Sequence, residues 1–337
     1  MSESKYRKLF KIIVPIGSIC FTLLLTEIVL QFFKPDEIAP KNVKVQVRNK
    51  SNYIPDEKLG YRPAIQNIEG RGYSQFATKK NNYSIEKPND VSRILFLGDS
   101  VTNRSKIINA LRDQLGEENF EYWNAGVEGY TTTQQLGLYK RWNHALDVDH
   151  VILTLHFNDF ATGIVYFYNS NNELISWRSN YRFQVNPWWF NHSELYRYAS
   201  NFLLDSLGKL DRETRTELVR EPLSELKELL DARDVRFTVL ILPRLDYWIP
   251  KDISTNNEDQ RARLLKKQNR ELDRRWHRPT SIKLLKALQI EYVDLEPARK
   301  RAVTDGIKIQ QSEGDKLHPN DKVAVYFVED ILSKIKF

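Results

Sequence analysis

Ile94-Leu95-Phe96-Leu97-Gly98-Asp99-Ser100 is the stretch on which the reading of the fold turns. After Arg93, Ile94 to Leu97 is a run of apolar residues without alternation, so Arg93 to Leu97 has the pattern of a strand covered on both faces, and Gly98 ends it. Sheets buried on both faces are parallel and flanked by helices. Outward from this strand the chain repeats the same alternation. Asn103 to Leu115 has helical apolar spacing and stops at Gly116, Phe120 to Trp123 is a short strand, and Thr132 to Ala145 is a helix that a threonine of Thr131-Thr132-Thr133 can cap. His150 to Leu155, Arg236 to Leu242 and Glu291 to Leu295 supply three more strands. Helices are predicted at Glu213 to Ala232, Asn257 to Trp276, Thr280 to Leu288 and Pro319 to Ile335. Strands alternating with helices predict right-handed crossovers and an α/β three-layer sandwich around a central parallel sheet. No internal repeat is visible.

The strand matters for chemistry because a serine stands at its exit. A serine hydroxyl is a weak nucleophile unless a positioned base takes its proton, and that base needs an acidic group to fix its tautomer. Asp315-Lys316-Leu317-His318-Pro319 offers both, three residues apart. Of the six histidines, only His318 follows an aspartate at that distance and precedes a proline, which keeps it out of helical geometry. The residues thus suggest Ser100 as nucleophile, His318 as general base and then acid, and Asp315 as its orienting partner. Donors for a developing oxyanion are expected from the Ser100 amide, from Gly126 in Asn124-Ala125-Gly126-Val127-Glu128-Gly129, and from Asn158 in His156-Phe157-Asn158-Asp159. His156 and Asp99 are candidate substrate contacts; Asp99 can equally fix the turn, and His156 can simply be pocket wall. For each member a bland reading stands beside this one: a helix-capping serine, a surface Asp–His pair, a tight-turn glycine.

Taken together and in order, the four blocks resemble those of the SGNH hydrolases, also called the GDSL esterase/lipase superfamily. Ser100 matches the nucleophile of the first block, Gly126 the glycine of the second, Asn158 the asparagine of the third, and Asp315 with His318 the final Asp-x-x-His. The resemblance covers residues 91 to 335 and implies a flavodoxin-like sandwich and acyl transfer through the serine. One position departs from it: His156 stands where the family's Gly-x-Asn-Asp block begins with glycine, so a ring replaces a hydrogen beside the expected site.

The N-terminus carries a separate signal. Lys5, Arg7, Lys8 and Lys11 precede a mainly apolar run from Ile12 to Phe33, in which Glu27 is the only charged residue. A bilayer span takes ~20 such residues. The run is long for a removable signal and lacks a small-x-small cleavage site, and bulky Ile19 before Cys20 argues against a lipoprotein site. The expected organisation is a cytoplasmic N-terminus at 1–11, a transmembrane helix at 12–33, a stalk and packing segment at 34–90, and a hydrolase domain at 91–337 with an insertion at 160–211. Glu27 is the awkward residue, because a carboxylate among lipid tails costs several kcal/mol by some scales. Basic residues before the span favour an N-in, C-out signal anchor, although Lys34, Lys41, Lys44 and Arg48 weaken the asymmetry.

The insertion holds eleven aromatic residues between Tyr166 and Tyr198. They suit sugar rings or acyl chains at a catalytic mouth, or equally a lid burying its own aromatics. A basic helix around Arg261 to Arg278 reads as a solvated face or as a contact for anionic lipid or glycan. The net charge of +7 favours anionic neighbours without any nucleic-acid motif to go with it. A single cysteine forbids an intrachain disulfide. No histidine pair has metal-ligand spacing, and no glycine-rich phosphate loop appears, so no cofactor is expected. The expected function is a membrane-anchored serine esterase acting on acyl groups, foremost O-acetyl groups of an envelope or exported polysaccharide, with an acylated glycan or small ester as substrate and lipid as the partner of the N-terminal helix. An O-acyltransferase using the same residues, and a non-catalytic anchored scaffold, are the alternatives.

Overall fold

The computed structural model describes residues 3–33, 46–48, 53–64, 73–79, 81–168, 174–177, 186–208, 210–245, 275–313, 315 and 317–337. Most of the basic helix expected between Asn257 and Arg278, the Lys34 to Lys44 part of the stalk, and Tyr181 and Phe183 lie outside the described residues. The chain divides into two compact units, one of residues 1–62 with 164–210 and the other of residues 63–163 with 211–337.

The second unit is α/β. Its sheet has five strands: β4 (Ser92–Leu97), β5 (Phe120–Asn124), β6 (His150–Leu155), β9 (Arg236–Ile241) and β10 (Glu291–Asp294). They lie in the order β10-β9-β6-β4-β5, and each adjacent pair is parallel. Counted within the sheet this is 2-1-3-4-5 read from β5, the doubly wound flavodoxin-like order, whose direction reverses between β4 and β6. Strand residues alternate between the two faces. Ile94, Phe96, Ile152 and Leu240 join one core with Ile107, Ile108 and Leu111 of α3 (Lys106–Leu115), Ala298 and Ala302 of α9 (Glu296–Thr304), and Val323, Phe327 and Ile331 of α10 (Asp321–Lys334). Leu95, Leu97, Val151, Leu153, Val239 and Ile241 are buried and point to the other face. The remaining helices of this unit are α4 (Thr132–Arg141), α7 (Arg212–Asp231) and α8 (His277–Ala287), and α4 packs on α7. Buried Arg93 crosses from β4 to Glu121 of β5 at 2.5 Å, and its remaining donors reach the carbonyls of Ser84 and Ile85.

Three elements depart from expectation. The helix after β4 begins at Ser100 itself as α2 (Ser100–Asn103) and breaks before α3, because Ser105 takes a left-handed φ of 61°. The C-terminal helix begins at Asp321 rather than Pro319, since Asn320 caps it by accepting from the Val323 amide and Pro319 pairs with Gln310 as an isolated bridge. Helix α9 is short and mostly polar; burial of Ala298 and Ala302 and the buried Glu296–Arg299 pair hold it.

The first unit contains the N-terminal helix α1 (Glu3–Phe33), within which Ile13–Phe33 is long and apolar enough to cross a membrane. It also holds a three-stranded antiparallel sheet in the order β1-β8-β7, of β1 (Gln46–Arg48), β7 (Val165–Tyr168) and β8 (Leu174–Trp177), and a hairpin of β2 (Tyr53–Asp56) and β3 (Gly60–Pro63). Helices α5 (Pro187–His192) and α6 (Glu194–Leu207) complete it. Tyr61 stacks on Tyr166 at 4.0 Å between ring centres, with Tyr53 edge-on to both. Gly60 has φ of 80°, and a Cβ there would lie 2.2 Å from the Ile164 carbonyl oxygen. Part of the segment read as a stalk and part of the aromatic insertion are therefore one structure.

Candidate active site

The turn after β4 is built around Asp99. Gly98 passes so close to α2 that a Cβ would lie 2.0 Å from Thr102 Oγ1. Asp99 then caps α2, its Oδ1 accepting from the Val101 amide at 2.9 Å. Ser100 follows as the first residue of α2, where its amide has no carbonyl partner within the helix. Its hydroxyl is almost buried, the residue being 9% exposed.

His318 reaches that hydroxyl from the far end of the sequence, with Nε2 2.9 Å from Ser100 Oγ. The other ring nitrogen, Nδ1, lies 2.9 Å from Asp315 Oδ2 and 3.1 Å from Oδ1. Asp315 also accepts from the Leu317 amide at 2.9 Å and the His318 amide at 3.1 Å, which locks the three-residue loop around the carboxylate. Burial alone would raise the Asp315 pKa, but those two amides and the ring outweigh it and hold the carboxyl below its usual range. An ionised carboxylate beside Nδ1 puts the proton there, so Nε2 is left to accept from the serine. The loop is anchored by the Gln311 amide donating to the His318 carbonyl and the Asn320 amide donating to that of Ile309. Arg104, at the end of α2, stands 3.8 Å from Asp315 and hydrogen-bonds Gln311. Nothing in the sequence singles out Arg104; only its place one turn after Ser100 does so in retrospect.

Asn158 lies in a single 3₁₀ turn after β6, and its Nδ2 donates to Asp99 Oδ2 at 2.6 Å. One N–H of that amide is thus engaged and the second remains. Asp99, expected as a substrate contact, is 1% exposed and uses both carboxylate oxygens to join α2 to the Asn158 turn. Asp159 holds the same turn, accepting from the His156 amide, Thr132 Oγ1 and Gln135 Nε2. The switch in strand order between β4 and β6 is what brings Ser100 and Asn158 side by side.

Gly126 is placed differently from expectation. Its amide donates to Asn124 Oδ1 at 2.8 Å, which occupies the donor assigned to an oxyanion. The space a Cβ would fill is taken by the backbone of α2, with Asn103 N at 2.4 Å. Its carbonyl accepts from Asn103 Nδ2 and Tyr73 Oη. The glycine is needed because α2 packs directly on it. Asn124 contributes more than the sequence revealed, since its Nδ2 also donates to the Thr102 carbonyl and Ser105 Oγ and so ties β5 to α2.

His156 is 2% exposed, and its ring lies against the Asn158 side chain. Burial, reinforced by Arg244 and His318, pushes its pKa down to about 4, so the ring is neutral near pH 7. It lines a cavity of about 310 Å³ over the ends of β6 and β9, with Phe157, Arg244, His277 and Lys300 among the other walls.

No family model matches this chain, and no curated protein does either. Solved structures do. The chain is similar to a catalytic mutant of Axe2, an acetylxylan esterase from Geobacillus stearothermophilus, at 12% identity over 75% of this chain and 97% of that one, with a TM-score of 0.43. It is similar to LAE5, an alpha/beta hydrolase enzyme from the metagenome of Lake Arreo, at 15% identity over 72% and 94% of the two chains, with a TM-score of 0.42. It is also similar to the acetyl xylan esterase AlAXEase, at 13% identity over 72% and 100%, with a TM-score of 0.40.

Proposed function

We propose that this chain is a membrane-anchored serine esterase that removes acyl groups, foremost O-acetyl groups, from an envelope or exported polysaccharide. The observation that carries the chemistry is the unbroken relay from Asp315 through His318 to Ser100, with both links at 2.9 Å. In the first half-reaction Ser100 Oγ attacks the acyl carbonyl carbon as its proton passes to His318 Nε2, and Asp315 stabilises the imidazolium. The oxyanion is met by the Ser100 amide and the second N–H of Asn158. The tetrahedral intermediate collapses, the alcohol oxygen leaves with the proton from His318, and an acyl-serine remains. Water then attacks that ester, giving up a proton to His318, the bond to Ser100 Oγ breaks as His318 returns the proton to it, and a carboxylic acid leaves.

The anchor is supported by the 21-residue, mainly apolar span Ile13–Phe33, with the basic residues before it favouring a cytoplasmic N-terminus and a catalytic domain outside. The glycan is supported by that location, the net charge of +7 and the aromatic insertion. The test is hydrolysis of 4-nitrophenyl acetate and of acetylated polysaccharides by the full chain and by Ser100→Ala, with labelling by a fluorophosphonate probe. Turnover and labelling are expected only with Ser100 present. Probe-resistant, inactive folded protein would overturn the esterase reading, and acetyl transfer to a sugar hydroxyl in place of release would make the chain a transferase.

A further inference from the structure

Glu27 is the single charged residue in Ile13–Phe33, and its carboxylate is fully engaged. Oε2 accepts from Ser193 Oγ at 2.7 Å and the Leu195 amide at 2.9 Å. Oε1 accepts from the Glu194 amide at 3.0 Å and from Gln31 Nε2 at 2.8 Å. Three of these four donors belong to the first turn of α6 and the residue before it, so the carboxylate clasps α6 to α1 within the same unit. Amides at a helix start have no intrahelical acceptor, and a carboxylate supplies one.

The level of the clasp along α1 is informative. Glu27 lies six residues before Phe33, about 9 Å along the axis at 1.5 Å per residue. Helices that lie flat on bilayers bury their apolar faces about 5–10 Å into the boundary between headgroups and acyl chains. The start of α6 is thus tied at the depth such helices occupy. The side chains around it have the matching chemistry. Trp188 and Trp189 of α5 are 38% and 51% exposed, and Tyr198 and Phe202, one turn apart on α6, are 60% and 71% exposed. Tryptophan and tyrosine concentrate at membrane–water boundaries, where an apolar ring with a polar edge is satisfied on both sides.

We propose that α5 and α6 lie in the headgroup layer at the C-terminal end of the α1 span, held at that depth by Glu27, with Trp188, Trp189, Tyr198 and Phe202 against lipid. The inference rests on α1 crossing the membrane. It accounts for a carboxylate inside an apolar helix and for part of the aromatic insertion by one contact.

The experiment is a depth measurement on the full chain, with Cys20→Ser and a single spin-labelled cysteine at Leu23 or Phe202, reconstituted in vesicles of phosphatidylcholine and phosphatidylglycerol. Collision with oxygen and with a water-soluble nickel chelate reports depth. The expected result is both labels in lipid, the one at 202 shallower than the one at 23. A label at 23 in lipid with 202 open to the chelate overturns the inference and leaves the span standing; a label at 23 open to the chelate removes both. Adding Glu27→Ala is expected to move the 202 label into water and leave the 23 label in lipid, and an unchanged 202 label would remove the clasp. A check free of labels uses brominated lipid, which should quench tryptophan emission of the unmodified chain. Quenching should be largely lost in the chain carrying Trp188→Phe and Trp189→Phe; equal quenching in both overturns the placement.

Discussion

Ser100 sits where a strand becomes a helix, and every group that holds it there has a second attachment. Asp315→Asn keeps the shape of the carboxylate but offers Nδ1 an N–H in place of an acceptor. By analogy with the same change in another serine hydrolase it should lower kcat by up to ~10⁴ with little change in KM. Steady-state kinetics on a chromogenic acetate ester measure this; an unaltered kcat would take Asp315 out of the relay. Gly126→Ala is a different kind of probe, because it keeps the amide and adds one carbon 2.4 Å from the backbone of α2. Overpacking of this sort costs about 1–3 kcal/mol. The variant should unfold at lower denaturant and lose activity through a displaced Ser100. Full stability would mean that α2 can retreat.

His150 and His156 make a residue-level prediction about pH. Burial pushes both rings down to about 4, well below the unfolded value near 6.5. Between those values the unfolded chain binds protons that the folded chain does not, so stability rises with pH across the window and is lost as pH falls from 6.5 toward 4. Each ring contributes on the order of 3 kcal/mol to the full loss. Denaturant unfolding of the detergent-solubilised chain at pH 7 and pH 5 tests this, and replacing both histidines by apolar residues should flatten the difference.

At the level of elements, the Arg93–Glu121 pair between β4 and β5 is buried, with side chains 1% and 6% exposed. Glu121→Ala strands a guanidinium away from water and should cost about 3–5 kcal/mol, read as a drop in the unfolding midpoint. Glu121→Gln should cost less, since an amide oxygen still accepts. Strands β4, β6 and β9 were legible as short, mainly apolar runs, whereas β5 and β10 carry Glu121, Glu291 and Asp294 and are read from the alternation of strands with helices. The break at Ser105 was not legible: a left-handed serine is imposed by the packing of α2 on Gly126 and Asn124, not by local preference. The sheet of the first unit escaped for a different reason, since β1 pairs with β8 more than a hundred residues later and neither strand is long enough to announce itself. The relay itself was legible in Ser100, Asp315 and His318, because spacing and a following proline are local signals. What Arg104 touches is a tertiary outcome that no short motif encodes, whereas the Gly126 amide is turned by Asn124 only two residues before it.

On the scale of the whole molecule, the apolar run of α1 predicts that the full chain stays with membranes through alkaline extraction, whereas a chain lacking residues 1–33 does not. A reporter fused after Phe337 should be active only in a form that works outside the cytoplasm; a cytosolic signal would reverse the orientation. The bond between Ser100 and His318 joins positions 218 residues apart, and His318 precedes only the last helix. Such a contact forms late, because loop-closure entropy must be met by the packing of nearly everything between. On the proposed relay, a nascent chain carries an idle hydroxyl until the segment bearing His318 has emerged and docked, so termination ahead of that residue should yield a product that is made and inert.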